Sequence, residues 1–169
     1  CHIPKILYFW RAHQNSTALT SDAKSYTAVA GRKAVLASIQ RNGMEAEVES
    51  SEIHPNIYRI KYKIKSYDKV SIIITTKNHC NDLKKCITSI LNLTTYNNYE
   101  IIIVDNGSNE QELLDYYKTL ESYENIHVYS YDIEFNCSKL NNYAATKATG
   151  KYYIFLNNDT EVISPEWIE

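Results

Sequence analysis

Glycine is scarce in this chain: Gly31, Gly43, Gly107 and Gly150 are the only four among 169 residues. That scarcity excludes two ways of holding a phosphate. A dinucleotide-binding fold needs GxGxxG after its first strand, and a P-loop needs GxxxxGK[ST], because only glycine lets the backbone close on the anion. The four glycines are spaced for neither. Long hydrophobic runs are also missing, and none approaches the roughly 18 residues of a membrane helix. No excess of one charge is present: the net charge is -2, which gives no electrostatic reason to expect nucleic-acid binding. The one basic concentration, Arg59 to Lys65, alternates strictly and suits the solvent face of a strand. The four cysteines, Cys1, Cys80, Cys86 and Cys137, form no CxxC pair and no zinc spacing. Cys86 falls on an apolar helix face, as a reduced, structural thiol of a cytoplasmic protein would. The chain opens on Cys1 with no signal-peptide pattern, so the expectation is an internal boundary within a longer protein.

From Val70 onward, strand and helix signals alternate. Val70–Ile74, Ile101–Val104, Ile126–Tyr129 and Tyr152–Leu156 are short apolar runs that predict strands. The last ends abruptly in Asn157-Asn158-Asp159-Thr160-Glu161, and its continuous apolarity predicts burial on both faces. Leu83, Cys86, Ile87, Ile90 and Leu91 share one helical face. Ser108 with Gln111 predicts a capping box for a helix through Leu113, Tyr116, Tyr117 and Leu120. Ser138 predicts the cap of a third helix that Gly150 would stop. Such alternation implies an α/β fold, a mostly parallel sheet flanked by helices. Residues 1–66 differ. An aromatic stretch, Ile6 to Arg11, precedes a helix from about Ser21 to Arg41 that stops at Asn42-Gly43. Alternation at Ala46, Val48 and at Tyr58, Ile60, Tyr62, Ile64 then predicts a hairpin, giving an α+β extension before a domain over 67–169.

A parallel sheet gathers its βα connections at one edge, where open α/β sheets bind ligands. That brings together 75–79, 105–108 and 157–161. In Thr75-Thr76-Lys77-Asn78-His79, hydroxyl and amide groups suit a base or ribose, and the next helix N-terminus attracts phosphate. Asn78 or Asn81 equally suits a helix cap. Asp105 and Asn106 present acceptors to a base or sugar hydroxyl, or simply form a tight turn with Gly107-Ser108. Without a glycine cradle, a bound diphosphate calls for Mg²⁺ or Mn²⁺. Asp159, with Glu161 near it, offers the hard oxygen such an ion prefers.

Together, Val70 to Asn78, Ile101 to Ser108 and Gly150 to Asp159 resemble the family 2 glycosyltransferases of GT-A fold. Thr94-Thr95-Tyr96 and Asn136 to Asn142 resemble the subgroup that builds rhamnose-containing and other bacterial surface polysaccharides. The resemblance implies an inverting enzyme moving sugar from a nucleotide-diphosphate donor to a glycan or lipid-linked acceptor, in the cytoplasm or at the inner face of the plasma membrane. It assigns Thr75, Thr76, Asn78, Asp105, Asn106, Asn158 and Asp159 to the donor site and gives Asp159 the metal. Two departures stand out. Asn106 replaces a frequent aspartate, which adds a donor where the family has acceptors only. Asn157-Asn158-Asp159 replaces Asp-x-Asp, which implies that diphosphate supplies the remaining metal ligands. The family's general base lies in the acceptor half, beyond Glu169. His2 to His13 looks like the end of a preceding transferase unit, making 1–66 a connector. The rival expectation is a non-catalytic module of the same fold serving a glycan-synthesising complex.

Overall fold

The computed structural model describes residues 4–9, 26–54 and 56–169. Cys1, Trp10, Arg11 and the first residues of the helix expected from Ser21 lie outside them. The chain packs as two units, residues 1–64 and 65–169.

In the first unit, α1 (Tyr26–Arg41) precedes an antiparallel hairpin of β1 (Ala46–Ser50) and β2 (Tyr58–Tyr62). The helix stops where expected. Gly43 adopts φ +66°, and Met44 N–H returns to Ile39 O at 3.1 Å, closing the last turn. Helix and hairpin are stitched by Tyr58 Oη donating to Ala28 O (2.9 Å) and Arg32 Nε to Val48 O (2.8 Å). Gly31 lies so close to the Tyr58 ring that a Cβ there would overlap the phenol. Lys61 pairs with Glu49 and Lys63 with Glu45, so the basic alternation is balanced across the hairpin.

The second unit runs β3 (Val70–Thr76), α2 (Cys80–Leu93), β4 (Tyr99–Asp105), α3 (Gln111–Leu120), β5 (Ile126–Ser130), α4 (Cys137–Lys147) and β6 (Tyr152–Asn157). Its four strands form a parallel sheet in the order β5-β4-β3-β6. Alternate residues of β3 and β4 feed two cores. Ile72, Ile74, Ile101 and Ile103 meet Leu83, Ile87 and Leu113 on the α2/α3 side, while Ile73, Ile102 and Val104 meet Leu140 and Ala144 on the α4 side. This is the α/β architecture expected.

Several local expectations are corrected. β6 is an edge strand with Tyr152, Tyr153 and Phe155 exposed, not a strand buried on both faces. Apolarity alone does not separate a central strand from an edge. Neither Asn78 nor Asn81 caps α2: His79 holds that position, with φ 59° and no side-chain cap bond. The Ser108/Gln111 box does not form. α3 begins after Glu110, and Ser108 is committed to Asp105 instead. α4 is capped by Asn136, whose side chain accepts from Lys139 N–H at 3.0 Å, not by Ser138. Gly150 does not end that helix, which stops at Ala148. It is there for contact: Gly150 N–H donates to Ser71 Oγ (2.8 Å), and a Cβ would stand 2.6 Å from Ser71 N.

Gly150 borders a buried polar knot at the amino end of the sheet. Glu100, 2% exposed, takes bonds from Lys69 Nζ (2.6 Å), Ser71 Oγ (2.7 Å) and Thr149 N–H (2.6 Å). Burial pushes its carboxyl up, but these donors outweigh burial and hold it at about 2. The knot ties β3, β4 and the α4–β6 connection together.

Candidate functional site

At the carboxyl edge, register decides which loops meet: Thr75 stands beside Asn157 and Thr76 beside Asp105. Thr76 is the hub. Its carbonyl accepts Asn106 N–H at 2.9 Å, its Oγ1 accepts Asn158 Nδ2 at 3.0 Å, and its hydroxyl donates to Asn78 O at 3.3 Å. One residue thus binds all three connections. Thr75 is half-buried with no side-chain hydrogen bond among the described residues, so its hydroxyl is free at the edge.

The first two connections brace each other. Asn78 and His79 both take left-handed φ, 58° and 59°, a conformation non-glycine residues hold only when their surroundings fix it. The fixing bonds cross the loops. Asn78 Oδ1 accepts from Asn109 N–H (2.9 Å) and Glu110 N–H (3.3 Å), ahead of α3; Asn78 N–H donates to Ser108 Oγ (2.7 Å). In return, Glu110 Oε2 accepts Cys80 N–H (3.2 Å), the first amide of α2. The α2 N-terminus, expected to attract phosphate, therefore already faces a carboxylate. Sequence reading missed Glu110, because its partner is 30 residues away and no local pattern marks it.

Asp105 is turned inward. Its oxygens accept from Ser108 N–H (3.0 Å), Ser108 Oγ and Tyr117 Oη (2.9 Å). Burial, and then the Asp105 charge, drives the Tyr117 phenol far above its ordinary range, so it stays a proton donor. Tyr117 reads in sequence as one more apolar-face residue; its hydroxyl's task is invisible there.

Asn106 is 2% exposed and unlike the others. Its Oδ1 accepts Ile133 N–H at 3.0 Å, which fixes which end of the amide is oxygen. The remaining Nδ2 is buried with no partner among the described residues. Beyond Ile133, an open cleft of about 370 Å³ is lined by Tyr131, Ile133, Glu134, Phe135, Asn136 and Lys139. Tyr131 stacks on Tyr143 of α4 at 4.2 Å, which steadies this loop.

Asn158 is half-buried through its bond to Thr76, whereas Asp159 is exposed. The Asp159 carboxylate makes no hydrogen bond or ion pair among the described residues, so both oxygens are available to a cation. Glu161 lines a groove along α2 with Lys85, Thr88 and Ser89. No group of three His, Cys, Asp or Glu among the described residues could hold a metal ion. The donor set therefore fits a divalent cation only as one anchoring carboxylate, with substrate oxygens completing the shell. Among the described residues, no helix is long and apolar enough to cross a membrane.

Residues 71–169 match the family described as Glycosyl transferase family 2. The uncharacterised protein y4gI of Sinorhizobium fredii is 39% identical over 169 residues, covering 99% of this chain and 18% of that protein. The O-antigen biosynthesis protein RfbC of Myxococcus xanthus is 32% identical, covering 99% of this chain and 13% of its own length. The chain thus spans less than a fifth of either relative. Among solved structures, S. aureus TarS in complex with UDP is 25% identical, with a TM-score of 0.49 over 59% of this chain and 30% of that one. The parallel sheet with flanking helices is the α/β class that the sequence implied. With the family matched across more than half of its length, the chain belongs to glycosyl transferase family 2.

Proposed function

We propose that residues 67–169 form the nucleotide-sugar-binding half of an inverting, metal-dependent glycosyltransferase acting in surface-polysaccharide or lipid-linked glycan synthesis. The observation that carries this reading is the Thr76 hub, which binds the three connections into one edge beside a free carboxylate. The cleft lined by Tyr131, Ile133, Glu134, Phe135, Asn136 and Lys139 supports a base and ribose beside this edge, and Asn106 steadies the Ile133 backbone at its rim through Oδ1. Thr75 and Asn158 flank the path from base to diphosphate. Asp105, with all its bonds internal, serves by shaping the turn under Asn106. Asp159 would hold Mg²⁺ or Mn²⁺, which when bound neutralises charge on the departing nucleoside diphosphate.

The surface-glycan assignment follows from a relative named for O-antigen biosynthesis. Use of a nucleotide-sugar donor implies a cytoplasmic site, peripheral to the membrane where the acceptor is lipid-linked. The base that deprotonates the acceptor hydroxyl belongs to the acceptor half, and none of the residues at this edge is assigned that role. Both long relatives align along nearly all of this chain, so residues 1–66 accompany the transferase half, as a connector to an adjacent unit would.

Calorimetric titration with UDP and with dTDP, each with and without Mn²⁺, tests the reading. Binding that tightens with Mn²⁺ is expected. If neither nucleotide gives heat in either condition, the donor site is wrong and the non-catalytic module becomes the better account.

A further inference from the structure

The Thr94-Thr95-Tyr96 stretch stands at the far end of α2 from Asn78, outside the donor edge, yet all three side chains are bound. Tyr96 Oη donates to Asp68 O at 2.6 Å. Thr94 Oγ1 accepts Trp167 Nε1 at 3.0 Å. Thr95 N–H donates to Pro165 O (3.1 Å), and its single hydroxyl proton is shared between Pro165 O (2.9 Å) and Glu169 Oε1 (2.7 Å). The partners of both threonines, Pro165, Trp167 and Glu169, lie on the segment that follows Asp159. Residues 160–168 are therefore strapped along α2, with Val162, Trp167 and Ile168 packed into the α2-side core.

One anchor of the stretch after Asp159 is Ser89. It is 8% exposed and donates its own proton to Cys86 O (2.8 Å), which aims its lone pair at Val162 N–H, 2.9 Å away. Closer to Asp159, Thr160 Oγ1 donates across it to Asn157 O at 2.7 Å, and Cys86 Sγ of α2 lies 3.8 Å from that carbonyl and 3.7 Å from Thr160 Oγ1. The turn is thus pinned to α2 before and after a carboxylate that has no bond of its own among the described residues.

We propose that Ser89, backed by Thr94 and Thr95, is a positioning residue for Asp159: α2 sets where the metal-holding carboxylate stands. The proposal rests on the metal-and-donor reading of Asp159. A lone carboxylate sharing its cation with a diphosphate has no second protein ligand to correct its placement. The backbone must hold it within about 0.5 Å, and the strap supplies that hold.

The test is UDP and dTDP titration of the 169-residue chain with and without Mn²⁺, beside thermal unfolding, for wild type, Asp159→Ala, Ser89→Ala, Thr95→Val and Thr95→Ser. Ser89→Ala is expected to lose about tenfold, and Thr95→Val about threefold, of the Mn²⁺-dependent gain in affinity while metal-free affinity stays within about twofold. Thr95→Ser, which keeps the hydroxyl, should retain the gain. A purely structural strap would instead lower metal-free and metal-dependent binding together with the melting temperature, and that result overturns the proposal. So does an intact Mn²⁺ gain in Ser89→Ala and Thr95→Val when Asp159→Ala has lost it; the site reading then survives alone. If Ser89→Ala does not fold, the exposed Thr95 pair decides. A wild type without any Mn²⁺ gain, or an Asp159→Ala that keeps it, sinks the site reading and the proposal with it.

Discussion

Replacing Glu100 by alanine is expected to cost the 65–169 unit about 3–5 kcal/mol, because removing one partner strands the others in a buried site. Lys69 loses its counter-ion, and Ser71 Oγ and Thr149 N–H lose their acceptor. For a unit of this size the melting temperature should fall by upwards of about 12 °C. The same knot gives stability a defined acid dependence. Glu100 is held at about 2 when folded against an ordinary 4.5, so its contribution is fully present above pH 4.5 and is lost as pH falls toward 2. By pH 3 the loss reaches about 2 kcal/mol. Denaturant melts of wild type and Glu100→Gln at pH 7 and pH 3 measure it, since the other carboxylates are common to both. A stability difference between them that does not shrink at pH 3 would show that Glu100 is not held low.

Gly150→Ala should be the next most damaging change, at about 1–3 kcal/mol, typical of forcing atoms into a filled site. Its Cβ would sit 2.6 Å from both Ser71 N and Ser71 Oγ and 2.8 Å from Lys69 O. Two of these three atoms are backbone, so no rotamer change relieves the contact, and β3 must move. Moving it displaces Ser71 from Glu100, so the two substitutions share a target. Their costs should be less than additive: in a Glu100→Ala background, Gly150→Ala is expected to cost visibly less. Additive costs in the double variant would mean that the glycine and the carboxylate are independent.

The sheet was legible in sequence because β3 and β4 are apolar along their length and the helices between strands carry a 3.6-residue period. The convergence of Thr75–Asn78, Asp105–Ser108 and Asn157–Asp159 followed from topology alone. What escaped was set by partners distant in sequence. Gly150 reads as a helix stop until Ser71, 79 residues away, is found against it. Ser108 with Gln111 obeys a capping rule, but Asp105 and Asn78 compete for that serine and win. Tyr152, Tyr153 and Phe155 look central because a strand's place in the sheet depends on its neighbours and not on its own composition. The positioning role inferred for Ser89 had no local mark either, being one serine on an apolar helix face.

The exchange of caps between Asn78 and Glu110 has a consequence for how this edge opens. Cys80 N–H is protected by a side chain rooted before α3, and Asn109 and Glu110 N–H by one rooted before α2. Neither helix start can fray without exposing the other's amides. The three protons should therefore exchange with solvent deuterium as a single cooperative unit, at one opening free energy, instead of at the graded rates of two independently fraying termini. Hydrogen-exchange mass spectrometry of Asn78→Ala would show this directly: protection should collapse at Cys80 as well as at Asn109 and Glu110, although the substitution leaves Glu110 intact.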